Sequence, residues 1–371
     1  MTHYRVLRKA ALAGVLALPI LTAGCGLFSE QASQQIDPPQ NSEQTSSTGA
    51  TNAAGAVTPT AQNGTTATPS ADAGGEAVAE GQTQMTVYLR DQNQLLAPVT
   101  VLATLGAEET AGQRALELMV QGGANESELP AGFEAVLPAG TAVNKLDVIA
   151  DQKKAVVDFN KAFGNYAATD ERRIVEAVTW TLTSLPGIDK VELSMDGVKL
   201  GEMPVDGYPL DEALTRAVGI NLETAEGVDY SQSTPVTLYF SSVTPNDEPY
   251  YVPVTRLINR TDNKAKAAIE QLIAGPSNLK SLTPVATPDI QVKDVKKEKD
   301  YVTIDLKDEA YQDGQAMPAQ MLKAVVLALA ENTGYAKVKI TVNGSASVID
   351  TENNSYSEPV DKPVYVNTIK S

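Results

Sequence analysis

An internal repeat is the feature that most constrains how this chain folds. Residues 155–197 match residues 302–344 in order and without a gap, and shorter matches extend the repeat on the N-terminal side of both segments. A match that keeps register over such a length indicates two copies of one structural unit. We therefore predict two tandem domains, at residues 85–206 and 235–371, joined by a connection at residues 207–234.

Each copy carries the pattern of a strand followed by a tight hairpin turn. Residues 190–195 and 337–342 alternate polar and apolar side chains with a period of two, which is typical of a strand with one buried face. An Asp-Gly pair follows the first strand and an Asn-Gly pair follows the second. Both dipeptides accept the positive φ angles of a tight hairpin turn, so we predict a turn at each place.

Two helices are predicted in each copy. In the first copy, Thr110 and Gln113 have the spacing of a capping box ahead of residues 115–121. The later helix of each copy has an apolar stripe at helical spacing, formed by Ile174, Val175, Val178, Leu182 and Leu185 in one and by Met321, Leu322, Val325 and Leu329 in the other. The predicted class is α+β, two tandem repeats of a small domain with helices packed on a mixed β-sheet.

The first residues of the chain have the pattern of a cleavable signal. A positive stretch precedes an uncharged apolar run at residues 10–21, which is shorter than the roughly 20 residues of a membrane-spanning helix. Small residues then precede Cys25 as in the lipobox of bacterial lipoproteins, although Thr22 stands where leucine is usual. We predict a signal peptide at residues 1–24 and a lipid anchor on Cys25. A secreted protein with a free thiol is the alternative.

Residues 25–84 are predicted to be the lipidated cysteine followed by a disordered linker. The segment is rich in Ser, Thr, Gln, Ala, Gly and Pro, and it contains no Lys or Arg. Such a composition cannot bury enough apolar surface to offset the entropy lost on ordering. We interpret the linker as a spacer between the membrane and the folded domains.

The composition excludes several classes of function. The net charge of −17 disfavours contact with phosphate backbones, so no nucleic-acid partner is expected. The only histidine is His3, inside the predicted signal, and the only cysteine is Cys25. After cleavage and lipidation, the chain would have no imidazole and no free thiol for a catalytic triad or for a zinc, copper or haem site. We predict no catalytic residues, no metal and no cofactor.

Carboxylate chemistry remains possible with this composition, because a glycosidase needs only a pair of acids. Asp158 and Asp305 are the best candidates, since they occupy the same position in the two copies between apolar strand residues. The alternative is that both lie on the solvated face of an amphipathic strand. Their duplication favours a repeated structural role over a single active site.

Trp180 is the first candidate for contact with a partner. On a helical wheel it points away from the stripe of Val178 and Leu182, and large aromatic side chains on polar surfaces often anchor interfaces. Leu327 takes the same place in the second copy and is the second candidate. The alternative is a helix buried on two sides, within its own domain or against the sister domain.

Motifs spread over nearly the whole chain resemble those of the GerM family of sporulation and germination lipoproteins from endospore-forming bacteria. The similarity is carried by runs that occur in order: Gly24-Cys25-Gly26-Leu27-Phe28, Ile36-Asp37-Pro38-Pro39-Gln40, Val178-Thr179-Trp180-Thr181-Leu182-Thr183, Gly219-Ile220-Asn221-Leu222 and Tyr250-Tyr251-Val252-Pro253-Val254-Thr255. The resemblance implies two GerM domains related in fold to the ring-building modules of secretion and sporulation assemblies. It brings no catalytic residues.

The resemblance also implies a location and a task. It places the protein on the extracytoplasmic face of the membrane, in the space between mother cell and forespore. There it would help to assemble the protein complex that links the two cells, with effects on germination. Its partners would be the membrane, through Cys25, and other sporulation envelope proteins, and self-association is left open. The alternative function is an extracytoplasmic lipoprotein that binds or hydrolyses cell-wall polymer.

Overall fold

The computed structural model describes residues 81–369. The predicted signal peptide, Cys25 and the linker as far as residue 80 lie outside the described residues. The first strand begins at Gln82, slightly before the domain start that the repeat predicts at residue 85.

The first copy contains the two helices that the sequence predicts. Its helices are α1 (Ala111–Leu118) and α2 (Glu171–Leu182). Its strands are β1 (Gln82–Asp91), β2 (Leu96–Thr104), β3 (Phe133–Glu134), β4 (Val143–Ile149), β5 (Lys154–Phe159), β6 (Lys190–Met195) and β7 (Val198–Lys199). The strands form two sheets, in the orders β2-β1-β3 and β4-β5-β6-β7.

The second copy repeats the arrangement of the first, and the connection adds one short strand before it. The helices are α3 (Lys264–Ala274) and α4 (Ala319–Thr333). The strands are β8 (Glu223–Thr224), β9 (Ser233–Val243), β10 (Pro249–Asn259), β11 (Gln291–Lys297), β12 (Val302–Lys307), β13 (Ala316–Met317), β14 (Lys337–Val342), β15 (Ile349–Asp350) and β16 (Val360–Asp361). The larger sheets have the orders β8-β10-β9 and β11-β12-β14-β16, and β13 pairs with β15.

The sheets of each copy differ in strand direction. The hairpins β1–β2 and β9–β10 are antiparallel, whereas β5 with β6 and β12 with β14 are parallel pairs inside mixed sheets. The helices pack on both kinds of sheet: α2 contacts β1 and β6, and α4 contacts β9, β12 and β14. The long hairpin of each copy is thus a separate sheet that shares its helices with the mixed sheet.

Local sequence signals account for the ends of several elements. The capping box of α1 is confirmed, with the Thr110 side chain accepting from the backbone N–H of Gln113 and the Gln113 side chain accepting from that of Thr110. Both predicted hairpin turns are confirmed by positive φ angles, 49° and 78° in the first copy and 54° and 82° in the second.

The predicted correspondence between the two copies is confirmed element by element. Phe159 and Leu306 lie on β5 and β12, and Leu193 and Ile340 lie on β6 and β14. The helices that carry Trp180 and Leu327 are likewise equivalent. The apolar stripes predicted for α2 and α4 face the core, and their helical members are buried.

Candidate functional site

The carboxylate of Asp158 holds two neighbouring features of its own sheet. One oxygen accepts from the backbone N–H of Gly197, in the hairpin turn, at 2.8 Å. The other accepts from the side-chain amide of Asn144 at 3.1 Å. The pairing of β4 with β5 shifts register at Asn144, so this residue forms a β-bulge beside Asp158.

Asp305 also binds a turn and a bulge in the second copy, and it accepts one further bond, from the hydroxyl of Thr341 at 2.9 Å. Its Oδ1 accepts from the backbone N–H of Gly344 at 2.9 Å, and its Oδ2 lies 2.8 Å from Nζ of Lys293. Lys293 lies at a register shift that corresponds to the one at Asn144. The repeated aspartate therefore ties a turn to a bulge in both domains, which is the repeated structural role that the duplication favoured.

We expect Asp158→Ala and Asp305→Ala to destabilise the chain by similar, modest amounts of about 1–2 kcal/mol each, because each change removes the hydrogen bond between a charged acceptor and a turn N–H. Urea unfolding followed by circular dichroism measures both values. The changes should be additive in the double variant, since the two sites lie in different domains. A strongly unequal effect would contradict the equivalence of the two sites.

No metal centre is visible in the part of the chain that the structure describes. Within residues 81–369, no three side chains of His, Cys, Asp or Glu lie close enough together to share a metal ion. Over the same range, none of the helices has both the length and the apolar character that crossing a membrane would require.

Trp180 is not on the surface, and the expectation that its ring faces outward is wrong. The side chain is 0% exposed, and its indole N–H donates to the carbonyl oxygen of Gly219 at 2.8 Å. The ring packs against Tyr88, at 5.5 Å between centroids, and the guanidinium of Arg216 lies 4.4 Å from its centre. The connection between the domains covers this face of α2, so the alternative of a helix buried on two sides is correct.

Leu327 is buried as well, with 1% of its surface exposed. It therefore presents no side-chain surface to a partner in this structure. The sequence contained a signal for this outcome, because residues 321–330 of α4 are almost entirely apolar, and a helix that is apolar all round is usually buried. The α4 helix packs on α3 and on strands of both sheets of its domain.

A partly buried ion cluster lies where the two domains meet. Glu331 of α4 binds Nη1 of Arg216 at 2.7 Å and Nζ of Lys362 at 2.8 Å. Burial raises the pKa of Glu331, but Arg216 and Lys362 outweigh burial and hold the pKa below its usual range. Burial raises the pKa of neighbouring Tyr88 to about 12, so its hydroxyl stays protonated. Sequence reasoning missed this cluster because its members are far apart in the chain.

A groove of about 530 Å³ lies above this cluster. Its walls come from the end of α2 in one domain and the end of α4 in the other, and residues 362–366 form one side. The groove is lined by Tyr88, Arg216, Tyr239, Glu331 and Lys362, among others. Both cations that line the groove are paired with Glu331, and Asp189 of its lining is paired with Lys153, so each of these charged groups has a partner within the protein.

The tips of the two long hairpins form a second contact between the domains. Asp91 is 1% exposed and accepts from the hydroxyl of Tyr250 at 2.8 Å. The ring of Tyr250 packs edge-on against Phe133, with 5.1 Å between the centroids. Burial raises the pKa of Asp91 above its usual value. The joint between the domains, with its ion cluster and groove, is therefore the candidate functional site.

The chain matches a protein family, Germane, whose description is sporulation and spore germination, over residues 86–201 and 237–348. These two segments fall within the two copies of the repeat. The spore germination protein GerM of Bacillus subtilis (strain 168) is 36% identical over 360 residues, which cover 95% of this chain and 96% of that protein.

A solved structure has the same architecture. It contains the tandem GerMN domains of the sporulation protein GerM from Bacillus subtilis, and it matches with a TM-score of 0.71 at 37% identity. The match covers 77% of this chain and 100% of that one. The predicted fold, two repeated α+β domains with helices on mixed sheets, is confirmed.

Proposed function

The chain belongs to the Germane family of sporulation and spore germination proteins, and from this membership we propose that it is a membrane-anchored assembly protein without catalytic activity. Its task is to help build the protein complex between mother cell and forespore, and loss of that task affects germination. It works by contact, through the outer surfaces of its two joined domains.

The role of the repeated aspartates is the observation that carries this proposal. Asp158 and Asp305 are the only acids that the sequence singles out for chemistry, and each is bound to a turn and a bulge of its own sheet. The carboxylate that borders the groove, Glu331, is paired with two cations. Polar groups used in this way support a structural role for the domain pair.

The anchor in this proposal is a lipid on Cys25, with residues 26–80 as the spacer. We expect Cys25→Ser to release the protein from the membrane fraction or to leave it with its signal attached, because the modified sulfur is lost. Fractionation of sporulating cells with immunoblotting measures both outcomes. Cys25→Ala serves as the matched variant, since it also removes the sulfur. Normal processing and membrane retention of both variants would contradict a lipid anchor.

Exposed apolar residues provide positions for detecting the partners. Val198, Tyr230 and Leu279 are 67%, 70% and 71% exposed, so a photoreactive amino acid at any of them should leave the fold intact. In sporulating cells we expect adducts with other sporulation envelope proteins, identified by mass spectrometry, and we expect them to disappear in the Cys25→Ser background. Adducts with wall polymer alone, or release of soluble fragments from purified cell walls, would favour the polymer-binding or hydrolase function instead.

A further inference from the structure

Strands β2 and β10 belong to different domains, run close to each other and share no ladder of hydrogen bonds. Pro98 and Pro253 occupy the same position in the two strands. Proline has no N–H to donate, so neither strand offers a continuous edge for pairing at this point. The carbonyl oxygens of both prolines still need donors.

Asn221, in the connection between the domains, supplies one set of bonds. Its side-chain Nδ2 donates to the carbonyl oxygens of Leu96 and Pro253, both at 2.8 Å, and its Oδ1 accepts from the N–H of Leu96 at 2.8 Å. One amide side chain thus satisfies both backbone groups of Leu96 on β2 and reaches the proline of β10.

Asn367 supplies the other set. Its Nδ2 donates to the carbonyl oxygens of Pro98 and Tyr251, at 2.7 and 2.8 Å, and its Oδ1 accepts from the N–H of Tyr251 at 2.8 Å. Here one amide side chain satisfies both backbone groups of Tyr251 on β10 and reaches the proline of β2. This second asparagine is 4% exposed.

The two sets of bonds are related by exchange of the domains. Leu96 and Tyr251 each lie two residues before the matched prolines, so they correspond in the repeat. Each asparagine binds both backbone groups of one residue and the proline carbonyl of the opposite strand. The joint therefore has the pattern of an approximate two-fold interface within one chain, in which each half is made by one asparagine.

The Asn221 half and the Asn367 half of the joint differ in the further contacts that their segments make. Asn221 donates its backbone N–H to Glu176 of α2, and its segment continues into β8, which pairs with β10. Asn367 follows an exposed stretch in which Val364 is 72% accessible and Tyr365 is 38% accessible. Across the joint, the Tyr365 hydroxyl of this stretch donates to the carbonyl oxygen of Gln84, and within the second domain Lys362 pairs with Glu331.

We propose that residues 362–369 are a releasable latch that fastens the first domain to the second. When the latch is docked, Asn367 closes its half of the joint and residues 362–366 form one side of the groove. When it is released, the Asn221 half remains as a hinge, and the backbone groups of β2 around Pro98 become free. Such unpaired strand edges are the usual sites for pairing with another extended segment. The inference does not depend on the proposed function.

Four backbone amides report the two halves separately. The N–H of Thr100 donates to the backbone carbonyl of Asn367, and the N–H of Tyr251 donates to its side-chain Oδ1. The N–H of Leu96 donates to Oδ1 of Asn221, and that of Thr255 donates to the backbone carbonyl of Ile220. In the full chain in detergent, we expect Asn367→Ala to accelerate hydrogen exchange at Thr100 and Tyr251 at least tenfold. The other two amides should keep their protection, and the thermal midpoint should change little.

Asn221→Ala is the matched control. We expect it to accelerate exchange at Leu96, and to lower the thermal midpoint more than Asn367→Ala does, because it removes the half that the latch leaves in place. Unchanged exchange at Thr100 and Tyr251 in Asn367→Ala, or equal acceleration at all four amides, would overturn the latch.

A measurement on the unmodified chain keeps the proposal open to refutation if Asn367→Ala fails to fold. At low denaturant concentrations, the amides of Thr100 and Tyr251 should exchange through a partial opening that precedes the opening of Leu96 and Thr255. Exchange of all four amides only by global unfolding would show that the joint opens as one unit and would exclude a separate latch.

Discussion

Replacing Trp180 with alanine is expected to lower the free energy of unfolding by about 3–5 kcal/mol, as for other fully buried large aromatic side chains. The change removes the packing against Tyr88, the bond to the carbonyl of Gly219 and the contact with Arg216. Since Trp180 is the only tryptophan of the chain, its own fluorescence cannot follow the variant. Circular dichroism in urea measures the loss.

Trp180→Phe is the matched control for this prediction. Phenylalanine keeps much of the packing but lacks the indole N–H, so we expect a smaller loss of about 1–2 kcal/mol. If Trp180→Ala instead unfolds at the same urea concentration as the unsubstituted protein and fails only in recruitment to the space between mother cell and forespore, the ring acts at a partner surface and the buried position is incorrect.

Replacing Glu331 with glutamine is expected to cost about 3 kcal/mol at neutral pH. The change removes the counter-charge of Arg216 and Lys362 in a site where the carboxylate is only 10% exposed, and an ion left unpaired in such surroundings is costly. Lys362→Met is the graded control. The side chain of Lys362 is 29% exposed and Glu331 would keep Arg216, so we expect a loss of about 1 kcal/mol or less.

The pH dependence of stability tests the same cluster. A carboxyl group whose pKa is lower in the folded than in the unfolded state stabilises the fold above the unfolded pKa, and this contribution is lost as the pH falls through the folded pKa. The pKa of Glu331 is held below its usual value of 4.5. The original chain should therefore lose stability more steeply below that pH than Glu331→Gln does.

Asp91 changes the pH dependence of the free energy of unfolding in the opposite direction to Glu331. Burial raises its pKa, so Asp91 favours the fold more as the pH falls through that raised value. The unsubstituted protein and Glu331→Gln both contain Asp91, so its effect cancels when the stability of one is subtracted from that of the other. If the free energy of unfolding falls equally steeply with pH in the unsubstituted protein and in Glu331→Gln below pH 4.5, Glu331 is not paired as the structure places it.

The local elements were predictable because their signals are short-range. A capping box needs only Thr110 and Gln113, and a tight turn needs only two residues that tolerate positive φ angles. The apolar stripes of α2 and α4 were likewise readable from helical spacing. The structural role of Asp158 and Asp305 was also within reach, since a single active site gives no reason for an acid to occur at the same place in both copies.

The position of Trp180 was not predictable in the same way. The helical wheel correctly placed its ring opposite the main stripe, but a wheel cannot show what covers the opposite face. Here the cover is the connection that carries Arg216 and Gly219, well beyond α2 in the chain. Leu327 is a different case, because the nearly uniform apolar character of α4 already indicated burial.

By itself, the sequence determined that two copies of one α+β domain follow each other, since repeat register and hydrophobic periodicity are properties of the linear chain. Only the tertiary structure decided how the copies are joined. Asn221 and Asn367 bind backbone groups that lie more than a hundred residues away. Hydrogen bonds of this kind depend on the approach of two strand edges, and that approach exists only after both domains have folded.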